Sequence, residues 1–139
     1  MIRFGHGVHQ RKIQAAETDS TSAIAESIAQ DKQLTRQLLS EVGIPVPEGG
    51  PVNSLEHAID EARSIGGPVV VKPRYGNQGK GVAANLTTAD QITAAYEAAR
   101  EISRNIIVEQ FVPGDDYRVL VIGGKMIAAA RREPAHVIG

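Results

Sequence analysis

From residue 21 onward the apolar positions fall into runs of helical or strand period. Ile24, Ile28, Leu34, Leu38 and Val42 recur mostly at four-residue steps, with a shift at Gln30-Asp31. That spacing predicts two helices, the second over 32–42 with Asp31 as its N-cap. Gly43 then stands where a C′ glycine belongs, and Pro45 follows. Ile44 to Pro47 is extended, because a residue before proline is excluded from the α region. Residues 48–51, Glu-Gly-Gly-Pro, read as a loop. Ser54 caps a third predicted helix that runs through Ile65, with Leu55, Ala58, Ile59 and Ala62 on one face, and Gly66-Gly67-Pro68 ends it. Val69-Val70-Val71-Lys72-Pro73 is short, β-branched and bounded by turn residues, the pattern of a buried strand. A glycine-rich loop covers 75–81 and a second strand 82–86. Thr88-Ala89-Asp90-Gln91 matches a capping box and opens a helix with Ile92, Ala95, Tyr96, Ala99 and Ile102 on one face, ended by Asn105. Ile106 to Val112 reads as a third strand. Residues 117–122 and 125–131 flank Gly123-Gly124, the signature of a hairpin. Residues 1–20 show mixed polarity and weak periodicity. There is no internal repeat, and the order of elements is that of an α+β fold.

Composition narrows the function classes. The 139 residues carry 15 Lys plus Arg against 16 Asp plus Glu, a net charge of −1, with 42% hydrophobic and 22% charged residues. These are the proportions of one ordinary soluble domain rather than a disordered tail. No apolar run approaches the roughly 20 residues of a membrane helix, so no membrane partner is expected. The start lacks the apolar core and cleavage site of a signal peptide, and a cytoplasmic location is expected. The absence of Cys excludes disulfides, thiolate zinc sites and a Cys nucleophile. Near-neutral charge and 4% aromatics remove the simplest grounds for a nucleic-acid partner. The chain stops at Gly139 soon after a strand-like run, 125–130, without a cap or polar tail. A piece of a longer protein is the expectation, with a small complete domain as the alternative.

The most informative stretch is 72–81, Lys-Pro-Arg-Tyr-Gly-Asn-Gln-Gly-Lys-Gly. Gly76, Gly79 and Gly81 permit close backbone approach, and successive N–H groups in such a loop can form an anion-binding nest. Lys80 within the loop and Lys72 at the strand end add two cations, which suits a polyphosphate. GxxxxGK[ST] is absent, and a strand rather than a helix follows, so neither a Walker A loop nor a dinucleotide fingerprint is present. A solvated hairpin loop with lysines for solubility is the plain alternative. Against it, Lys72 ends a buried strand, where a lysine needs a partner or ligand. Lys32, beside a helix N-terminus, gains from an anion because the helix dipole disfavours its charge. Residues 106–116 place apolar side chains, backbone carbonyls and the acids Glu109, Asp115 and Asp116 at a strand end. An adenosine needs that set.

Three blocks together resemble the ATP-grasp superfamily over about residues 20–139: Asp31-Lys32 leading to Val42-Gly43-Ile44-Pro45-Val46-Pro47, Pro68 to Pro73 with the glycine loop, and Val108-Glu109-Gln110-Phe111-Val112-Pro113-Gly114. Within it, residues 4–13, 21–32 and 128–137 are similar to the cyanophycin synthetase family. The resemblance implies a partial ATP-grasp fold, with helices on a mainly antiparallel sheet and a glycine-rich flap. It implies a lead-in segment with the first helices over 1–50, a lid subdomain over 51–115 and the truncated start of a C-terminal subdomain over 116–139. It further implies an ATP-dependent ligase that activates a polymer-end carboxylate as an acyl phosphate and joins it to the amino group of aspartate, releasing ADP and phosphate. ATP, aspartate and a polymer primer are the implied partners, in a homo-oligomeric parent.

Carried over by motif, Lys32 and Lys72 match the two lysines that hold ATP phosphates. Gly76, Asn77, Gln78, Gly79, Lys80 and Gly81 match the flap over the β and γ phosphates. Glu109, Gln110 and Val112 match the purine-binding edge, partly through backbone. Asp116 stands where the family usually has a ribose-binding acid, often Glu. Arg118 and Arg131 resemble arginines that face the phosphates or the acyl phosphate, a solvated strand end being the alternative for Arg131. His6, His9 and His136 show no metal-ligand spacing. Mg²⁺ is the implied cofactor, with its ligands expected beyond residue 139, so the chain alone is expected to have little or no ligase activity. Open alternatives are another ATP-grasp ligase, glutathione-synthetase-like or D-alanine–D-alanine-ligase-like, and a non-catalytic nucleotide-binding module.

Overall fold

The computed structural model describes residues 1–14, 17–18, 22–75 and 79–133. In chain order its elements are β1 (Ile2–Phe4), a 3₁₀ turn (Gly7–His9), β2 (Arg11–Gln14), β3 (Glu17–Thr18), α1 (Ala23–Gln30), α2 (Lys32–Glu41), β4 (Gly49–Val52), α3 (Leu55–Ile65), β5 (Val69–Pro73), β6 (Ala83–Leu86), α4 (Ala89–Ile102), β7 (Ile106–Gln110), β8 (Asp116–Ile122) and β9 (Lys125–Arg132). The expected α+β class is borne out.

The strands form three antiparallel sheets, ordered β1-β2-β3, β4-β7-β5-β6 and β8-β9. The four-stranded sheet carries the core. Strand side chains alternate between faces, so Val69 and Val71 of β5, Ile106 and Val108 of β7 and Val52 of β4 turn to the face covered by α3 and α4. The helices answer with Ala58 and Ala62, and with Ile92, Ala95, Tyr96 and Ala99. Small alanines at the contact let both helices approach closely. The caps are those read from sequence. Ser54 accepts from the His57 N–H at 3.1 Å, and Thr88 and Gln91 form a reciprocal capping box.

Residues 49–52 correct the expectation of a loop over 48–51. Gly49 to Val52 pair with Glu109 to Ile106 as strand β4. It is an edge strand, where Pro51 is tolerated despite its missing N–H. Gly49 has φ +118°, and a Cβ there would lie 2.3 Å from the Val108 carbonyl oxygen. Gly49, which looks like a turn residue in the sequence, is therefore the residue this close pairing requires. Other boundaries differ as well. β7 is bounded at Gln110 rather than Val112, although the Gln110 and Phe111 N–H groups still donate to the Glu48 and Pro68 carbonyls, both at 2.8 Å, in register with the neighbouring strands. α4 ends at Ile102 with extended Ser103 as its C-cap, two residues before Asn105. β1, β2 and β3, of three, four and two residues, form a sheet too short in each strand for alternation to show in the sequence.

The β8–β9 hairpin turns through Gly123 (φ +57°) and Gly124 (φ +74°), the geometry that matches strand twist. Its apolar side chains, among them Val119, Val121 and Ile127, are about half exposed or more.

Candidate functional site

The sheet face opposite the core builds the candidate site. Alternation along β5 sends Lys72 away from Val71, and the β5–β7 register sets Val70 opposite Glu109 and Lys72 opposite Ile107. Lys72 and Glu109 are thus diagonal neighbours on one face, within reach for long side chains. The Lys72 ammonium donates to Glu109 Oε1, and both side chains are largely buried, at 18% and 12% exposure.

Lys32 reaches the same place from α2. It is the first residue of that helix, and its backbone N–H donates to the Arg74 carbonyl at 3.3 Å. Its ammonium makes a long 3.5 Å contact to the same oxygen. Partial burial, and next the Lys72 charge, push the Lys32 amine below its ordinary range, while Asp31 and Glu109 act the other way. Lys32, Lys72 and Glu109 therefore share one electrostatic neighbourhood. They line a cavity of about 360 Å³ whose other wall includes Leu39, Pro45 and Val46. Arg36 holds that wall in place by donating to the Pro47 carbonyl at 3.1 Å. Two ammonium groups, one carboxylate and an apolar wall suit an anion attached to a flat apolar group.

Asp31, the buried charged residue among the described residues, caps α2 through Oδ1 to the Gln33 and Leu34 N–H groups at 3.0 and 3.2 Å. It also receives Arg74 Nε at 2.9 Å and Nη2 at 2.6 Å. The Arg74 guanidinium first, and then the backbone N–H groups and its charge, outweigh desolvation and hold the Asp31 carboxyl at about 2, against 3.8. A carboxyl with a lowered folded-state pKa stabilises the fold above its unfolded value, and that contribution is lost as pH falls through the folded value. Stability is therefore expected to drop between about pH 4 and pH 2, and Asp31→Asn should flatten that part of the profile, measured by urea unfolding at each pH.

The other expected site residues divide into three groups. Gly79 and Gly81 adopt φ +71° and +67°, with the Val82 N–H on the Gly79 carbonyl at 3.2 Å, and Lys80 is exposed. Gly81 has a packing role that the sequence hides: a Cβ would lie 2.6 Å from Ile102 Cδ1 and 3.1 Å from Pro73 Cγ. Gly76, Asn77, Gln78 and His136 lie outside the described residues. Gln110 ends β7 and Val112 is 60% exposed just beyond it. Asp116, Arg118 and Arg131 sit on the hairpin, and none of them is among the residues lining the Lys32–Lys72 cavity. Asp116 pairs with Arg132 at 3.0 Å, and Arg131 with Glu133 at 2.6 Å and Asp115 at 3.8 Å, all exposed. Arg131 stands opposite Tyr117, so it lies on the hairpin face that Arg118 does not.

Among the described residues no group of three or more His, Asp or Glu could hold a metal ion. Nor is any helix among them long and apolar enough to cross a membrane.

Comparison with known proteins shows what the chain resembles. The chain is 44% identical to cyanophycin synthetase of Trichormus variabilis over 140 residues, covering 100% of this chain and 16% of that protein. It is 34% identical to the glutathione biosynthesis bifunctional protein GshAB of Listeria innocua over 143 residues, covering 99% of this chain and 18% of that protein. The structure of D-alanyl-alanine synthetase A from Vibrio cholerae superposes with a TM-score of 0.65 at 24% identity, covering 79% of this chain and 36% of that one, a likeness of fold. The chain thus spans about a sixth of the length of the curated relatives it matches. The RimK-like ATP-grasp domain family matches residues 29–136. The chain belongs to the RimK-like ATP-grasp domain family.

Proposed function

We propose that this chain supplies the nucleotide-binding part of an ATP-dependent carboxylate–amine ligase of the cyanophycin synthetase kind, acting in the cytoplasm. The observation that carries the reading is the convergence of Lys32 and Lys72 on one partly buried cavity with Glu109. Like charges repel, and a fold that holds two ammonium groups together gains when an anion lies between them.

In this reading Lys32 and Lys72 grip the ATP phosphates, and the loop over 76–81 closes on the β and γ groups. Glu109, Gln110 and Val112 border the purine, and Asp116 meets the ribose hydroxyls. Residues 51–115 act as the lid, and residue 116 begins the C-terminal subdomain. One of Arg118 and Arg131 faces the reacting phosphate, since their side chains leave opposite faces of the hairpin. A carboxylate oxygen at the polymer end attacks the γ-phosphorus, the bond to the β-phosphate oxygen breaks, and ADP leaves. The amino group of aspartate then attacks the acyl phosphate, loses a proton and expels phosphate. A magnesium ion, with its ligands expected beyond residue 139, would supply charge neutralisation when bound.

The protein with ATP, Mg²⁺, aspartate, arginine and a primer is expected to release ADP and phosphate in step with aspartate incorporation. Release of AMP and pyrophosphate would overturn the acyl-phosphate reading. The GshAB likeness favours a second reading, a glutathione-synthetase-like ligase, and the amine consumed separates the two.

A further inference from the structure

Asp31 and Arg74 lie 43 positions apart in the chain, yet they hold the first turn of α2 from both sides. Helix N-termini leave four N–H groups without helical partners. Here the Asp31 N–H goes to the Ser27 and Ile28 carbonyls of α1, the Lys32 N–H to the Arg74 carbonyl, and the Gln33 and Leu34 N–H groups to Asp31 Oδ1, while the Thr35 N–H on the Asp31 carbonyl at 2.9 Å is the first bond within the helix. Arg74 thus serves α2 twice, with its carbonyl directly and with its guanidinium through Asp31. Its own N–H donates to the Asn105 carbonyl at 2.8 Å, which fixes it to the sheet, and its guanidinium lies 5.2 Å from the Tyr75 ring centre. Tyr75 opens the glycine loop.

Apolar packing does little to seat α2. None of its residues is buried, and Leu38 and Leu39 are 38% and 37% exposed. Its place against the sheet therefore depends on polar contacts, the bidentate pair foremost, since paired N–H···O⁻ bonds fix orientation as well as distance. Lys32 follows Asp31 directly and is repelled by Lys72. Glu109 attracts both ammonium groups, and the Asp31–Arg74 pair fixes the backbone from which Lys32 extends. Neither Asp31 nor Arg74 is among the residues that line the cavity.

We propose that Asp31 and Arg74 are a positioning pair that seats the start of α2 on the root of the glycine loop and so presents the Lys32 ammonium to the phosphate cavity beside Lys72. The inference rests on the nucleotide reading above and adds residues that act through Lys32.

The test is a double-mutant cycle in the full protein, with ATP affinity measured by calorimetry. Arg74→Met removes the fork. Asp31→Ser removes the ion pair but keeps a hydroxyl that can cap the helix, and it serves if Arg74→Met fails to fold. Either variant is expected to weaken ATP binding about fivefold to twentyfold when Lys32 is present, and less than twofold in a Lys32→Met background, the signature of coupled sites. The KM for ATP should rise by a similar factor with kcat within about twofold. Equal losses in both backgrounds, or no loss with Lys32 present, would overturn the pair's positioning role. A Lys72→Met variant that binds ATP as tightly as the parent would overturn the nucleotide reading and the inference with it. Weakening by Lys72→Met together with an additive Arg74–Lys32 cycle would overturn the inference alone.

Discussion

Replacing Lys72 with methionine is expected to weaken ATP binding by about 10- to 150-fold. A hydrogen bond to a charged group contributes about 1.5–3 kcal/mol, and about 1.4 kcal/mol corresponds to a factor of ten. The lower part of that range applies if the nucleotide must displace Glu109, which holds the Lys72 ammonium in the free protein. The phosphate contact then counts only by its excess over an ion pair already made. Methionine keeps the length of the side chain and its fit on the sheet face, so the change isolates the charge. It leaves the Glu109 carboxylate, at 12% exposure, without this partner. Some loss of stability is therefore expected, and Lys72→Met with Glu109→Gln should restore stability without restoring affinity. Calorimetric titration with ATP, paired with a thermal melt of each variant, separates the two effects. Unchanged affinity in a folded Lys72→Met protein would remove Lys72 from the phosphate site.

Truncating Ile106 to alanine is expected to cost about 2–5 kcal/mol of folding stability, the range for emptying a well-packed aliphatic site. Ile106 is fully buried, opposite Val52 on one side and Pro73 on the other. It lies in the core beneath α3 and α4, where close-packed neighbours relax only in part. Its position also ties the core to the site, because Ile107, the next residue, faces Lys72 across the strands. Urea unfolding should show a lower midpoint with an unchanged slope. Ile24→Ala is the control: Ile24 is 74% exposed on α1, and a surface change of this kind stays within about 0.5 kcal/mol. Similar losses at both positions would contradict the described core.

The parts of the fold that were legible in the sequence are those whose signals are local. α3 and α4 announce themselves through Ser54, the Thr88–Gln91 box and apolar residues at helical spacing. β5 is visible as an unbroken valine run, and the hairpin turn as a glycine pair. β4 was hidden because Gly49, Gly50 and Pro51 look like turn residues, and only pairing with β7 explains why glycine must stand at 49. The site was legible to the same depth. Lys72 stood out because a lysine ending a buried strand needs company. That its company is Glu109, 37 positions away, follows from the β5–β7 register, which no local pattern encodes. Asp31 could be read as a helix cap, while its ion pair with Arg74 belongs to tertiary structure alone. Gly81 marks a loop in the sequence, while its packing against Ile102 and Pro73 belongs to tertiary structure.

The most direct test of the central claim, a nucleotide held between Lys32 and Lys72, is an NMR titration of the protein with ATP that follows backbone amides and lysine side-chain signals. The earliest and largest shifts are expected at Lys32, Lys72, Glu109 and residues 79–81. Shifts confined to other surfaces, or none at millimolar ATP, would contradict it.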